Sequence, residues 1–322
     1  MPASIRKLVG IFLPTKQAQQ LVAMASTSGR KRSLVMTHKE SELVANLLKD
    51  AGINLTTTKG SWCLHEGLSH IISVNDQSLQ PIVLLNGPPR VYESLECRHQ
   101  DAVQGMKAPK TCFESLCRIV AGQQLAGAAA QAVWRRLLET TEQELTPRAI
   151  LDLAQRDLTE MLQRPAGLSG AKARSILDLA DKFEAGILSD TFLQTASETR
   201  VREALLKVRG IGPWSCDMFL LFYLERPDIL PLGDLGVRKG IAKHFGLRGT
   251  GKGGALCLKK DFDRMNDAVK PFTPYRSLLS FYMWKVADTK DVYDSSTQPA
   301  VTAVPRTVTP EKRAPTKRKR NS

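Results

Sequence analysis

The residues of this chain whose types and spacing could do chemistry are the run Leu205–Asp217, LLKVRGIGPWSCD, and the aspartate that follows it at Asp234. Val201, Leu205 and Val208 recur at helical spacing, Gly210-Ile211-Gly212 supplies a tight turn, and Pro213 stands where a second helix starts. Such a helix-hairpin-helix points backbone N–H groups and the positive end of a helix outward, and that combination binds a phosphate oxygen without side-chain charge. A Gly-x-Gly alone is also an ordinary turn between helices, so its meaning depends on what surrounds it. The second helix should run from Pro213 to Leu224, about 18 Å at 1.5 Å per residue, before Arg226-Pro227 turns the chain toward Gly233-Asp234-Leu235. A carboxylate fixed there could stabilise a developing positive charge or activate water. Equally, an aspartate after glycine serves as the N-cap of a helix, here one beginning near Val237.

The elements that must hold these residues have a helical pattern. Phe113, Leu116 and Val120, then Ala128, Ala129, Ala132, Val133 and Leu137, recur at helical spacing, with Gly122-Gln123-Gln124 at a break between two helices. Thr146-Pro147 and Ser169 have the form of helix starts. Strand-like alternation is scarce between 111 and 288, so the core is expected to be an all-α bundle. Upstream, a helix over Glu42–Asp50 and short β-branched runs such as Ile82–Leu85 carry no recognisable chemistry.

Six cysteines and five histidines are scattered without a C-x-x-C or H-x-x-x-H pair, so neither a metal nor a cofactor is expected. No run of about 18 apolar residues marks a membrane span. The formal charge of +14 suggests an acidic partner such as nucleic acid, but its distribution matters more. Residues 1–39 hold seven Lys/Arg and no acid, and residues 300–322 hold seven against one Glu, which leaves +1 for residues 40–299. From Thr289 the chain is rich in Ser, Thr and Pro and ends in Lys317-Arg318-Lys319-Arg320, which reads as a disordered basic tail. That cluster is a nuclear import signal on the first reading and a nonspecific phosphate-binding arm on the second. The basic, acid-free start of the chain partly fits a mitochondrial transit segment instead.

Together, the stretches Gly122-Gln123-Gln124-Leu125, Gly167-Leu168-Ser169 through Lys172-Ala173, the hairpin, Leu230-Pro231 through Asp234-Leu235-Gly236-Val237-Arg238-Lys239-Gly240, and Pro274-Tyr275-Arg276-Ser277 through Trp284 resemble the helix-hairpin-helix DNA glycosylases. More closely, they resemble the 3-methyladenine DNA glycosylase II family in its eukaryotic form. The resemblance implies a mainly α fold of two helical subdomains with the active-site cleft between them, spanning residues 70–288 between a basic, unassigned segment 1–69 and the tail 289–322. It implies a monomer that acts on double-stranded DNA containing alkylated purines. Asp234 then matches the catalytic aspartate, beside a base pocket of Trp214, Met218, Leu235 and Trp284. Gly210, Ile211 and Gly212 contact the DNA backbone, and Gln124, with Leu125 beside it, fills the gap left by a flipped base.

Trp214 stands where lyase-type relatives carry a nucleophilic lysine; an indole cannot form a Schiff base, so the implied enzyme is monofunctional. Its face also suits a cationic alkylated purine. Only Cys257 follows Cys216, so the iron–sulfur cluster of some relatives is not expected. Met218 and Leu235 replace tyrosines found in some relatives, which leaves the lesion range open. Two other readings compete: a bifunctional glycosylase/lyase in which Lys207 or Lys239 supplies the amine, and a non-catalytic DNA-binding module in which Asp234 is only a cap.

Overall fold

The side chains at the helix starts dictate much of the architecture. In the computed structural model, which describes residues 62–74, 79–87, 89, 109–125, 127–142 and 144–288, the regular elements are helices. The chain divides into two units, 1–288 and 289–322, and every described residue lies in the first. The Glu42–Asp50 helix, the basic N-terminal segment and the tail from Thr289 fall outside the described residues.

Helix α1 spans Leu64–Ser73, and α2 spans Leu79–Asn86. The Ile82–Leu85 run thus lies in a helix despite its β-branched residues, with Ile82 and Val83 buried. Burial outweighs a propensity difference of well under 1 kcal/mol per residue. Helices α3 (Cys112–Gly122) and α4 (Gly127–Thr140) flank the expected break. Thr146 and Ser169 each cap a helix with the side-chain oxygen, opening α5 (Pro147–Asp157) and α6 (Gly170–Glu184). After α7 (Asp190–Thr195) come the hairpin pair α8 (Glu198–Leu205) and α9 (Pro213–Phe222), which ends two residues earlier than the sequence pattern predicts. Leu224 donates to Phe219 and Glu225 takes a positive φ of 53°, so the last turn unwinds before Arg226-Pro227. Helices α10 (Leu235–His244), α11 (Phe262–Val269) and α12 (Arg276–Asp288) complete the order.

Two groups of helices result. The first, α3 through α9, closes around Phe113, Leu116, Trp134, Leu137 and Phe219. Each such side chain contributes roughly 1.5–3 kcal/mol by leaving water. In the second, α12 packs against α1, α2 and α10, burying Leu64, Ile71, Val237, Ile241, Tyr282 and Met283. The segment from Tyr223 to Asp234 runs from the first group to the second. Phe281 and Trp284 of α12 rest against the edge of the first core, so Asp234 sits at the seam.

Candidate active site

The hairpin is fixed from below and open above. Val208 and Ile211 plug it into the core, and Gly210 turns it with φ of 75°. A Cβ on Gly210 would lie 2.1 Å from the Ser175 hydroxyl oxygen, so both conformation and space demand glycine. The Arg209 N–H donates to Asp178 Oδ2 at 2.7 Å, and the Gln123 amide donates to the Gly210 carbonyl at 2.9 Å and to Ser215 Oγ at 3.0 Å. Gly212 caps α9 without a side chain, in extended backbone with open space where its Cβ would stand. The N–H groups of Trp214 and Ser215, in the first turn of α9, have no intrahelical acceptor and lie at the positive end of the helix dipole.

That geometry makes one substitution a clean test. Valine fits the Gly212 backbone without strain, yet puts a branched side chain in front of these donors. The variant should fold normally and bind lesion and undamaged duplex roughly tenfold more weakly, about the worth of one charge-assisted hydrogen bond. Unchanged affinity in a titration of labelled duplex would reduce the hairpin to a turn.

The break between α3 and α4 divides the work of two glutamines. Gln123 bonds the hairpin, whereas Gln124 adopts a left-handed φ of 58° and is exposed, with Leu125 exposed beside it. The ammonium of Lys172 holds this conformation by donating to the carbonyls of Ala121 at 2.9 Å and Gln123 at 2.7 Å. Burial there lowers the lysine's pKa. Of the two, Gln123 is thus the one that bonds backbone, and Gln124 is left exposed. Gln124→Ala should shorten the lifetime of a flipped fluorescent base analogue by roughly tenfold, with undamaged-duplex affinity unchanged. Equal lifetimes would exclude the wedge.

Asp234 is both a cap and more than a cap. Its Oδ1 accepts the Val237 N–H at 3.0 Å, opening α10. The same oxygen accepts the Trp284 indole N–H at 2.8 Å, and Oδ2 accepts that of Trp214 at 2.9 Å. Partial burial pushes the carboxyl upward, but the indoles of Trp214 and Trp284 and the N–H groups of Val237 and Gly236 outweigh it. The net result is a pKa below the ordinary carboxylate value. A Cβ on Gly236 would come within 2.6 Å of the Trp284 ring and 3.1 Å of Oδ1, so only glycine allows both contacts.

Around the carboxylate lies an aromatic surface. Trp284 stacks on Phe222 with centroids 5.6 Å apart, and Phe281 meets both rings edge-on. Trp214 is 36% exposed, Phe222 40% and Leu235 55%, whereas Met218 is buried one turn further along α9. The fold thus brings Asp234, Trp214, Leu235 and Trp284 together and keeps Met218 beneath. Phe222 escapes a sequence reading because the apolar run from Met218 to Tyr223 does not reveal which member faces out. No hydrogen bond joins Lys207 or Lys239 to Asp234 or either indole among the described residues.

The loop before Asp234 is strapped to the start of α12. The Arg276 guanidinium forks onto Asp228 at 2.7 and 2.8 Å, and Ser277 accepts the Ile229 N–H while donating to the Arg226 carbonyl. Arg238 reaches back to the carbonyls of Leu232 at 2.7 Å and Gly233 at 2.9 Å. These contacts give Arg276, Ser277 and Arg238 a physical task that the sequence motifs leave unstated: they fix the loop that aims the carboxylate.

Comparison with known proteins agrees with this architecture. Residues 117–255 match the profile of the HhH-GPD superfamily of base excision DNA repair proteins. The chain is 28% identical over 219 residues to "DNA-3-methyladenine glycosylase 1" of Schizosaccharomyces pombe, which covers 67% of this chain and 85% of that protein. It is 29% identical over 198 residues to "DNA-3-methyladenine glycosylase" of Saccharomyces cerevisiae, with coverage of 55% and 67%. Among solved structures, a DNA-3-methyladenine glycosidase from Bacillus halodurans is similar with a TM-score of 0.52 and 25% identity, over 69% of this chain and 89% of that one.

Proposed function

We propose that this chain, which belongs to the HhH-GPD superfamily of base excision DNA repair proteins, is a monofunctional DNA-3-methyladenine glycosylase. It flips alkylated purines out of duplex DNA and hydrolyses the bond between base and sugar, the first step of base excision repair. The observation that carries this reading is the carboxylate of Asp234, held ionised by two indole donors beside an exposed aromatic surface.

The chemistry suits a cationic substrate. A purine methylated on a ring nitrogen leaves as a neutral base, so it needs little help from an acid. The sugar it leaves behind carries an oxocarbenium-like charge, which a nearby carboxylate stabilises while water attacks. The aromatic faces stack on the flipped base and gain cation–π attraction from its charge. Trp214 offers no amine for a Schiff base, so the product is an intact abasic site.

The test is single-turnover release of 3-methyladenine from a duplex carrying one lesion, followed by a search for strand breaks before alkali or heat. Base release without breaks is expected. Breaks accompanied by borohydride-trapped enzyme would establish the lyase reading, and no release across a panel of alkylated duplexes would establish the binding-module reading.

The enzyme acts in the nucleus, with the mitochondrion as the alternative, because nearly all net charge lies in the terminal segments, and it acts as a monomer, as the family resemblance implies. Removing residues 300–322 should lower nuclear accumulation while cleavage of a short lesion duplex at saturating enzyme persists. If cleavage vanished, the tail would belong to the site.

A further inference from the structure

The near-neutral charge of the central region conceals a basic, acid-free segment. Between residues 235 and 260 there are seven Lys/Arg and no Asp/Glu, whereas the rest of 109–288 holds 19 Lys/Arg against 21 Asp/Glu. An ordinary solvated surface mixes signs, and this segment does not. Arg238 is occupied by loop carbonyls, but Lys239, Arg248, Lys252, Lys259 and Lys260 are exposed and form no ion pair among the described residues.

The loop that carries most of these cations is tied into a fixed shape. The Gly249 N–H donates to Gly254 at 2.8 Å and the Gly251 N–H to Ala255 at 2.9 Å. The buried carboxylate of Asp261 gathers the Thr250 N–H, the Thr250 hydroxyl and the Cys257 N–H at 2.8 to 3.1 Å. Arg264 donates to the Arg248 carbonyl at 3.1 Å. Arg248, Lys252 and the Lys259-Lys260 pair are therefore presented by one internally braced loop that leads off the C-terminal end of α10. The other end of α10 begins at Asp234.

We propose that this basic loop is a second duplex-binding surface, which holds backbone phosphates away from the lesion while the hairpin holds those beside it. The proposal rests on the reading of duplex DNA as the substrate. The ten residues of α10 span about 15 Å. At 3.4 Å per base pair, the loop reaches phosphates roughly four to five base pairs from the flipped nucleotide. Its role is positioning: it adds affinity and orientation without reading sequence or touching the reacting atoms.

The test is a salt titration of full-length protein on undamaged duplex, comparing wild type with the triple variant Lys252→Gln, Lys259→Gln and Lys260→Gln. Each lost phosphate contact should reduce the slope of log K against log salt by about 0.9, so a reduction of about 2 to 3 is expected. A control variant with Arg148→Gln, Arg156→Gln and Arg200→Gln removes the same charge elsewhere and should keep the wild-type slope. On a duplex trimmed to three base pairs either side of the lesion, wild type and triple variant should bind alike. An unchanged slope in the triple variant, an equal loss in the control, or a difference that persists on the trimmed duplex would each overturn the proposal. Because the titration uses undamaged DNA, a normal slope change without base release would sink the glycosylase reading and leave the surface standing.

Discussion

Replacing Asp234 by asparagine should lower single-turnover base release on the order of a hundred- to a thousandfold, the loss seen when one preorganised electrostatic group is removed from an active site. The structure makes this substitution informative. Asparagine keeps an oxygen that can accept both the Val237 N–H and the Trp284 indole, so α10 retains its cap. Its amide nitrogen must then face the Trp214 N–H, donor against donor, in place of Oδ2. Trp214 is partly exposed and can turn away, so the fold should survive with lesion binding reduced far less than release. The pH dependence follows with a definite sign. Since the donors hold the carboxyl below the ordinary carboxylate value, base release should persist as pH falls through about 4 and decline only below it. Trp284→Phe removes one donor and should move that decline to higher pH. Near-normal release by folded Asp234→Asn protein would end the catalytic assignment.

What the sequence discloses here is whatever depends on near neighbours. Thr146, Ser169 and Pro213 mark helix starts because a cap or an N1 proline acts within one turn, and the structure places each where the pattern does. The two roles weighed for Asp234, cap and charge stabiliser, are separable on paper but not in space, since one carboxylate performs the first while two distant indoles prepare it for the second. Trp284 lies 50 residues from Asp234, and no local rule pairs them. The same limit hid the division of roles between Gln123 and Gln124, which is settled by Gly210 and Ser215 some ninety positions away. Summed charge misled in another way: a total of +1 for residues 40–299 averages an acid-free stretch against an acidic remainder.

Gly240 shows how such distant constraints set the site, and it yields the second large expected effect. It stands at the end of the run Asp234–Gly240, where helical geometry alone gives no reason for glycine, a residue that costs about 1 kcal/mol in a helix interior. The reason lies across the crossing with α12: a Cβ at Gly240 would come within 2.0 Å of the Met283 carbonyl oxygen and 2.6 Å of its carbon. Both are backbone atoms, so no rotamer change relieves the clash, and the helices must separate by more than 1 Å to reach ordinary contact. Gly240→Ala should therefore destabilise the protein by about 3 kcal/mol despite alanine's better helix propensity. In a domain of this size that corresponds to a fall in Tm of roughly 6–12 °C. Trp284 follows Met283 directly, so the separation also draws its indole from Asp234 Oδ1. Below the new Tm, the folded variant should release base at least tenfold more slowly, about the worth of one charge-assisted hydrogen bond. Thermal unfolding and single-turnover release measured on the same preparation check both effects. A Tm within 2 °C of wild type would show that α10 and α12 can part without cost, and the close crossing would then not be what holds Trp284 on the carboxylate.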